Sequence, residues 1–226
     1  MIGFYNYTVI LTYISLASSV VGIFICTNSA PLYGDIPNSL WGILCLMISG
    51  VCDMFDGKVA RTMKNRTEAQ KKFGIQIDSL ADVIGFGLLP ATIGYSILIE
   101  QGNIVKSGWI VLFLALFVFF VLAALIRLAY FNVMEEERQS KTAENRKEYE
   151  GLPVTNTALI MPFIYIFKFR IGDDWFYIVY SVVLFLVACA FIIKFRVKKV
   201  GMKTMLLFLL IGIIEFTFIC IEAANK

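Results

Sequence analysis

Seven times along this chain the sequence turns apolar for most of the ~20 residues that a helix needs to cross a hydrocarbon core of about 30 Å. Those windows lie near residues 7–27, 38–55, 78–98, 107–131, 154–168, 175–195 and 204–222, and the fifth is the shortest. Pro31, Gly34 and Pro37, then Gly102, then Gly172 with Asp173 and Asp174, punctuate the intervals between them. Only 16% of the residues are charged, where a soluble domain carries roughly a quarter, so a water-soluble fold is excluded. The expectation is an all-α integral membrane protein: a polytopic bundle of six to seven transmembrane helices, one domain over residues 1–226. No basic segment precedes the first window and no small-residue cleavage site follows it, so that span is expected to stay in the mature protein.

Lysine and arginine divide unequally between alternate loops. Lys58, Arg61, Lys64, Arg66, Lys71 and Lys72 follow the second window; Arg138, Lys141, Arg146 and Lys147 follow the fourth; Lys194, Arg196, Lys198, Lys199 and Lys203 follow the sixth. The opposite side has Lys106, Lys168, Arg170 and Lys226. The positive-inside rule therefore places the basic loops and the N-terminus in the cytoplasm of a cell-membrane protein. Trp41, Trp109 and Trp175 stand at helix starts, where interface anchors belong.

Four acids stand where lipid tolerates them least. Asp53 and Asp56 close the second window, and Asp78 and Asp82 open the third. A carboxylate near a helix centre costs about 2.5 to 3.5 kcal/mol on insertion scales and less toward the interface, so four together call for a function. Spacings of three and four residues put each pair on one helix face, and antiparallel neighbours joined in the cytoplasm can bring the two faces together. Such acids repel unless a cation lies between them. The chain has no histidine, and Cys26, Cys45, Cys52, Cys189 and Cys220 form no C-x-x-C pair and suit packing. An oxygen-only site favours one or two hard divalent ions, Mg2+ or Mn2+.

From Asp53 to Asp82 the residues spell D-x2-D-G-x2-A-R-x12-G-x3-D-x3-D, through Gly57, Ala60, Arg61 and Gly74. This motif resembles that of the CDP-alcohol phosphotransferases. Phe73 to Phe86 (FGIQIDSLADVIGF), Arg127 to Val133 (RLAYFNV) and Tyr149 to Thr157 (YEGLPVTNT) look like the branch of that family that uses serine. The resemblance covers roughly residues 50 to 160. It implies a phosphatidyl transfer from CDP-diacylglycerol to the hydroxyl of L-serine, within membrane lipid, by a homodimer with no nucleic-acid partner. It also implies metal ligation by Asp53, Asp56, Asp78 and Asp82, with Asp82 as the base that takes the serine proton. Nucleotide contacts would come from Asn6, Thr8, Asp53, Asp56, Gly57, Ala60, Arg61, Thr67 and Gly74. Acceptor contacts would come from Arg127, Asn132, Gly151, Pro153, Thr155 and Asn156.

The residues give those roles physical sense. Small Gly57 and Ala60 let a base or pyrophosphate approach the backbone, Gly74 leaves room on the face of Asp78, and Arg61 offers a forked cation to phosphate oxygens. Arg127, the basic residue inside an apolar span, suits a carboxylate or lipid phosphate. Two departures stand out. Twelve residues, Thr62 to Phe73, separate Arg61 from Gly74, a longer interval than the family's, expected to lengthen the cytoplasmic loop. Tyr130 stands where the family often has a second arginine. Glu135, Glu136 and Glu137 read as a solvated cytoplasmic stretch. From the residues alone, another acceptor alcohol (glycerol phosphate or an inositol phosphate) and a divalent-cation transport site both stay open.

Overall fold

A computed structural model describes residues 6–101, 108–141, 148–198 and 202–224 of the chain. Expectations resting on Gly102, Lys106, Arg146, Lys147, Lys199 and Lys226 lie outside them. A 3-10 turn, Tyr7–Val9, leads into α1, Ile10–Thr27, and α2 follows over Asn38–Thr62. Then α3, Glu68–Asp82, passes through a π-helical turn, Val83–Leu88, into α4, Leu89–Glu100. The remaining helices are α5, Ile110–Lys141; α6, Thr157–Ile166; the short α7, Lys168–Ile171; α8, Asp173–Ile192; and α9, Met202–Ala224. Among the described residues, seven helical segments are long and apolar enough to cross a membrane. The polytopic all-helical bundle is therefore the fold.

The helices outrun the apolar windows. α2 reaches Thr62 rather than 55 and α3 begins at Glu68 rather than 78, leaving only Met63–Thr67 between them. The interval expected to extend the loop is thus mostly helix. Thr67 makes that possible, because its hydroxyl accepts from Gln70 N and the Gln70 side chain accepts from Thr67 N, a capping box that fixes where α3 starts. α5 likewise continues past the membrane window to Lys141, carried by pairs Arg138–Glu135 and Lys141–Glu137 at i,i+3 and i,i+4. Hydropathy reports where lipid ends; a helix ends only where its backbone finds a cap.

The segment Glu68–Glu100 is the bundle's axis and its most buried span. Around it the core gathers Ile43 and Leu46 of α2, Leu89, Ile93 and Ile97 of α4, Phe120 of α5, Met161 and Tyr165 of α6, and Phe176, Tyr180 and Leu184 of α8. The outward faces stay apolar: Val111, Leu112, Val118 and Ile126 on α5 and Leu206, Leu210, Ile213 and Ile214 on α9 are exposed, as lipid contact requires. Close approach depends on small residues. A Cβ on Gly50 would run into the Ala158 Cβ, so α2 and α6 touch at that level. Ser15 and Ser19 of α1 and Ser49 of α2 share hydroxyl bonds of 2.6 and 2.8 Å, and Gly85 of the π turn leaves room for them. The five cysteines are free; Cys26 is buried in the core and Cys220 is exposed.

Two features had no sequence signal. Glu148–Glu150 and Arg196–Lys198 pair as a short antiparallel ribbon, β1 with β2, joining the approach to α6 to the end of α8. At the bundle end away from the aspartates, Lys168 Nζ lies 2.7 Å from Glu100 Oε2, with Lys168 only 5% exposed. Ser39 adds a backbone N–H and a hydroxyl to Glu100, both at 3.0 Å, and the Tyr165 hydroxyl meets Ser39 at 2.9 Å. Lys168, whose sequence position suggested only topological charge, ties α7 to α2 and α4.

Removing one partner of a buried pair strands the other charge, which costs about 3 to 5 kcal/mol. Glu100→Gln should lower the thermal midpoint of the detergent-purified protein by many degrees. The double variant Glu100→Gln with Lys168→Met should recover part of that loss.

Candidate metal and substrate site

Helical spacing delivers the acids where the sequence placed them, within helices rather than at their ends. One carboxylate oxygen each from Asp53, Asp78 and Asp82 lie within 4.8 Å of one another. Oxygens bound to one divalent ion are separated by at most about twice the metal–oxygen distance, roughly 4 to 5 Å, so these three fit a single hard cation. Asp56 stands beside them: its carboxyl touches that of Asp78, as Asp53 touches Asp82, and Thr12 Oγ1 donates to Asp56 Oδ2 at 3.2 Å. Among the described residues, no lysine or arginine forms an ion pair with any of the four. Their mutual repulsion is thus left for a cation to relieve.

The cluster divides two cavities of different character. One, of about 560 Å3, is lined by Thr8, Thr12, Asp56, Gly57, Ala60, Arg66, Lys71, Lys72, Gly74, Asp78 and Asn132 among others. It lies beside the α2–α3 connection and the C-terminal part of α5. The other, of about 620 Å3, takes in Asp53, Asp78, Asp82, Arg127, Pro153, Thr155 and Asn156 at one end. The rest of its wall is apolar, from Met47 and Ile48 of α2 to Phe208, Leu209 and Phe216 of α9. Asp78 borders both cavities. A polar chamber and an apolar chamber meeting at carboxylates suit a ligand with a charged head, a reacting phosphate and a greasy tail.

The expected nucleotide residues separate on this map. Thr8, Asp56, Gly57, Ala60 and Gly74 line the polar cavity, and a Cβ on Gly57 would meet open space. Asn6, Arg61 and Thr67 line neither cavity. The Asn6 carboxamide oxygen accepts from the Thr8 amide and hydroxyl, so Asn6 caps the 3-10 turn and positions Thr8. Thr67 is occupied as the cap of α3, and Arg61 is exposed in the last turn of α2. Arg66, counted in the sequence only as loop charge, lines the polar cavity in Arg61's stead. Glu135 and Glu136, expected to be merely solvated, face the same cavity.

The acceptor group also divides. Arg127 is 6% exposed, donates to Leu152 O at 3.2 Å and Gly151 O at 3.4 Å, and borders the apolar chamber. Gly151 takes φ +74°, a left-handed conformation that glycine tolerates, and so turns its carbonyl toward Arg127. Pro153, Thr155 and Asn156 follow at the start of α6. Asn132 sits on the other side, donating to Ser79 Oγ at 2.7 Å within the polar cavity's wall. Tyr130 lies under the Lys194 ammonium, 5.0 Å from its ring centre, so a cation does reach this position from the segment after α8.

Residues 5–218 match the family model described as CDP-alcohol phosphatidyltransferase. The chain is similar to the CDP-diacylglycerol–serine O-phosphatidyltransferase of Saccharomyces cerevisiae, 36% identical over 122 residues, which are 53% of this chain and 40% of that one. The protein of the same name from Helicobacter pylori is 34% identical over 116 residues, 51% of this chain and 42% of the relative. The one from Mycobacterium tuberculosis is 28% identical over 127 residues, 56% and 40%. The matched part thus spans less than half the length of these relatives. No solved structure matches the chain.

If the three converging acids hold an ion, Mn2+ should raise the thermal midpoint of the purified protein in a concentration-dependent way. Asp78→Asn should move the manganese concentration needed for half the effect upward by about tenfold or more. An unchanged manganese response in that variant counts against a metal at this cluster.

Proposed function

This chain belongs to the CDP-alcohol phosphatidyltransferase family, and we propose that it transfers a phosphatidyl group from CDP-diacylglycerol to the hydroxyl of L-serine, giving phosphatidylserine and CMP. The observation that carries the proposal is the acidic cluster at the meeting point of a polar cavity and an apolar one. The nucleotide occupies the polar cavity between α2, α3 and the end of α5. The lipid lies toward the apolar chamber and α9, which leaves the phosphorus next to the lipid beside Asp53, Asp78 and Asp82. These acids and Asp56 would hold Mg2+ or Mn2+, which when bound neutralises charge on the pyrophosphate and on departing CMP.

The chain's own groups divide the remaining work. Asp82, 8% exposed and bordering the chamber of Arg127, accepts the proton of the serine hydroxyl. The serine oxygen then bonds to the lipid-side phosphorus as the bond to the CMP oxygen breaks, and CMP leaves with that electron pair. Arg127, at the border of the chamber, orients the serine carboxylate, while its bonds to Gly151 O and Leu152 O fix it in place. The apolar walls exclude bulk water, which would otherwise compete with serine as the nucleophile. With the basic connections in the cytoplasm, the polar cavity opens toward the compartment that holds nucleotide and serine.

Purified protein supplied with CDP-diacylglycerol, Mn2+ or Mg2+ and serine should release CMP in step with phosphatidylserine. Glycerol 3-phosphate and an inositol phosphate, offered in parallel, should give at most a few per cent of that rate. Asp82→Asn should retain CMP binding and lose turnover by about a hundredfold or more. Near-normal turnover would remove Asp82 from the role of base, and preference for another alcohol would replace serine as the acceptor.

A further inference from the structure

The polar cavity contains a cation that the D-x2-D-G-x2-A-R motif leaves out. Arg66 lies immediately before the cap of α3, and its side chain folds back along the first turns of that helix. Its Nη2 is 3.4 Å from Gln70 O, and a Cβ built on Gly74 would stand 2.6 Å from the same nitrogen. The guanidinium therefore rests on the bare backbone of Gly74, on the wall that also carries Asp56, Gly57 and Ala60. Its Nε is buried and has no hydrogen-bond partner. Leaving a buried donor unpaired is costly, the more so when the group is charged, so the arrangement calls for an acceptor.

The surroundings say which kind. Lys72 shares the wall, and Lys71 is already paired with Glu68 at 2.8 Å. Glu135 and Glu136 hold the α5 side of the cavity and repel an anion toward the Arg66 side. A planar fork of donors whose Nε is unpaired matches phosphate oxygens better than any neutral ligand. We propose that Arg66 binds a phosphate of the CDP-linked lipid, in the position that the exposed Arg61 does not reach; this rests on the reading that the polar cavity takes the nucleotide. The long interval between Arg61 and Gly74 then has a use, since it brings an arginine to the cavity wall. Gly74 acquires one too, because a side chain there would push the guanidinium off its seat.

The test measures affinities of CMP and of cytidine, which lacks the phosphate, by calorimetry on the full chain in detergent with Mn2+. Wild type should bind CMP more tightly than cytidine. Arg66→Gln should weaken CMP by about tenfold or more and leave cytidine unchanged, with Arg66→Lys between the two. In turnover the same variant should raise KM for CDP-diacylglycerol more than it lowers kcat. Lys64→Gln, which removes an equal charge from the same connection, should alter neither affinity. Equal losses for CMP and cytidine, or undiminished CMP binding, overturn the assignment of Arg66. Wild type that binds neither nucleotide overturns the nucleotide cavity itself, and the function proposed above with it.

Discussion

Carboxylates that repel one another inside an apolar bundle stay together only if the helices bearing them are pinned by something else. Here the pins lie away from the acids. Hydroxyl bonds among Ser15, Ser19 and Ser49, with Gly85 making space, clamp α1, α2 and the π turn one to two helical turns beyond Asp53 and Asp82. The contact of Gly50 with Ala158 seats α6 against α2 on the chamber side. At the far end, Glu100, Ser39, Tyr165 and Lys168 lock the opposite ends of α2 and α4. With both ends fixed, α2 and α3 keep their acids together in spite of the repulsion.

The division into two cavities follows from the same geometry. Asp53 and Asp56 share a face of α2 one turn apart, and along it Asp53 borders the apolar chamber while Asp56 borders the polar one. The wall thus changes from polar to apolar at the acids themselves. Arg127 and Arg66 repeat the division, one on each side. Arg66 donates to the backbone carbonyl of Gln70, and Arg127 to those of Gly151 and Leu152.

How much of this was legible depended on whether the signal was local. The meeting of Asp53, Asp78 and Asp82 could be read because 3.6-residue periodicity and a short connection force it. The seven spans could be read because lipid selects composition. Helix ends could not, since Thr67 caps α3 through one hydroxyl in a polar stretch that hydropathy treats as loop. The place of Arg66 escaped as well: motif spacing says which residue stands where in the chain, whereas the side-chain path over Gly74 depends on α3 starting at Glu68. The Lys168–Glu100 pair joins residues far apart in sequence and had no local mark at all.

The π turn at Val83–Leu88 begins at the residue after Asp82. A wide turn accommodates an additional residue without ending the helix, and each residue of an α-helix carries about 100° of rotation. The segment before it and the segment after it are therefore set at independent phases about one axis. Asp78 and Asp82 can be aimed by the chemistry while Leu89, Ile93 and Glu100 are aimed by packing, so that neither half of the helix dictates the orientation of the other.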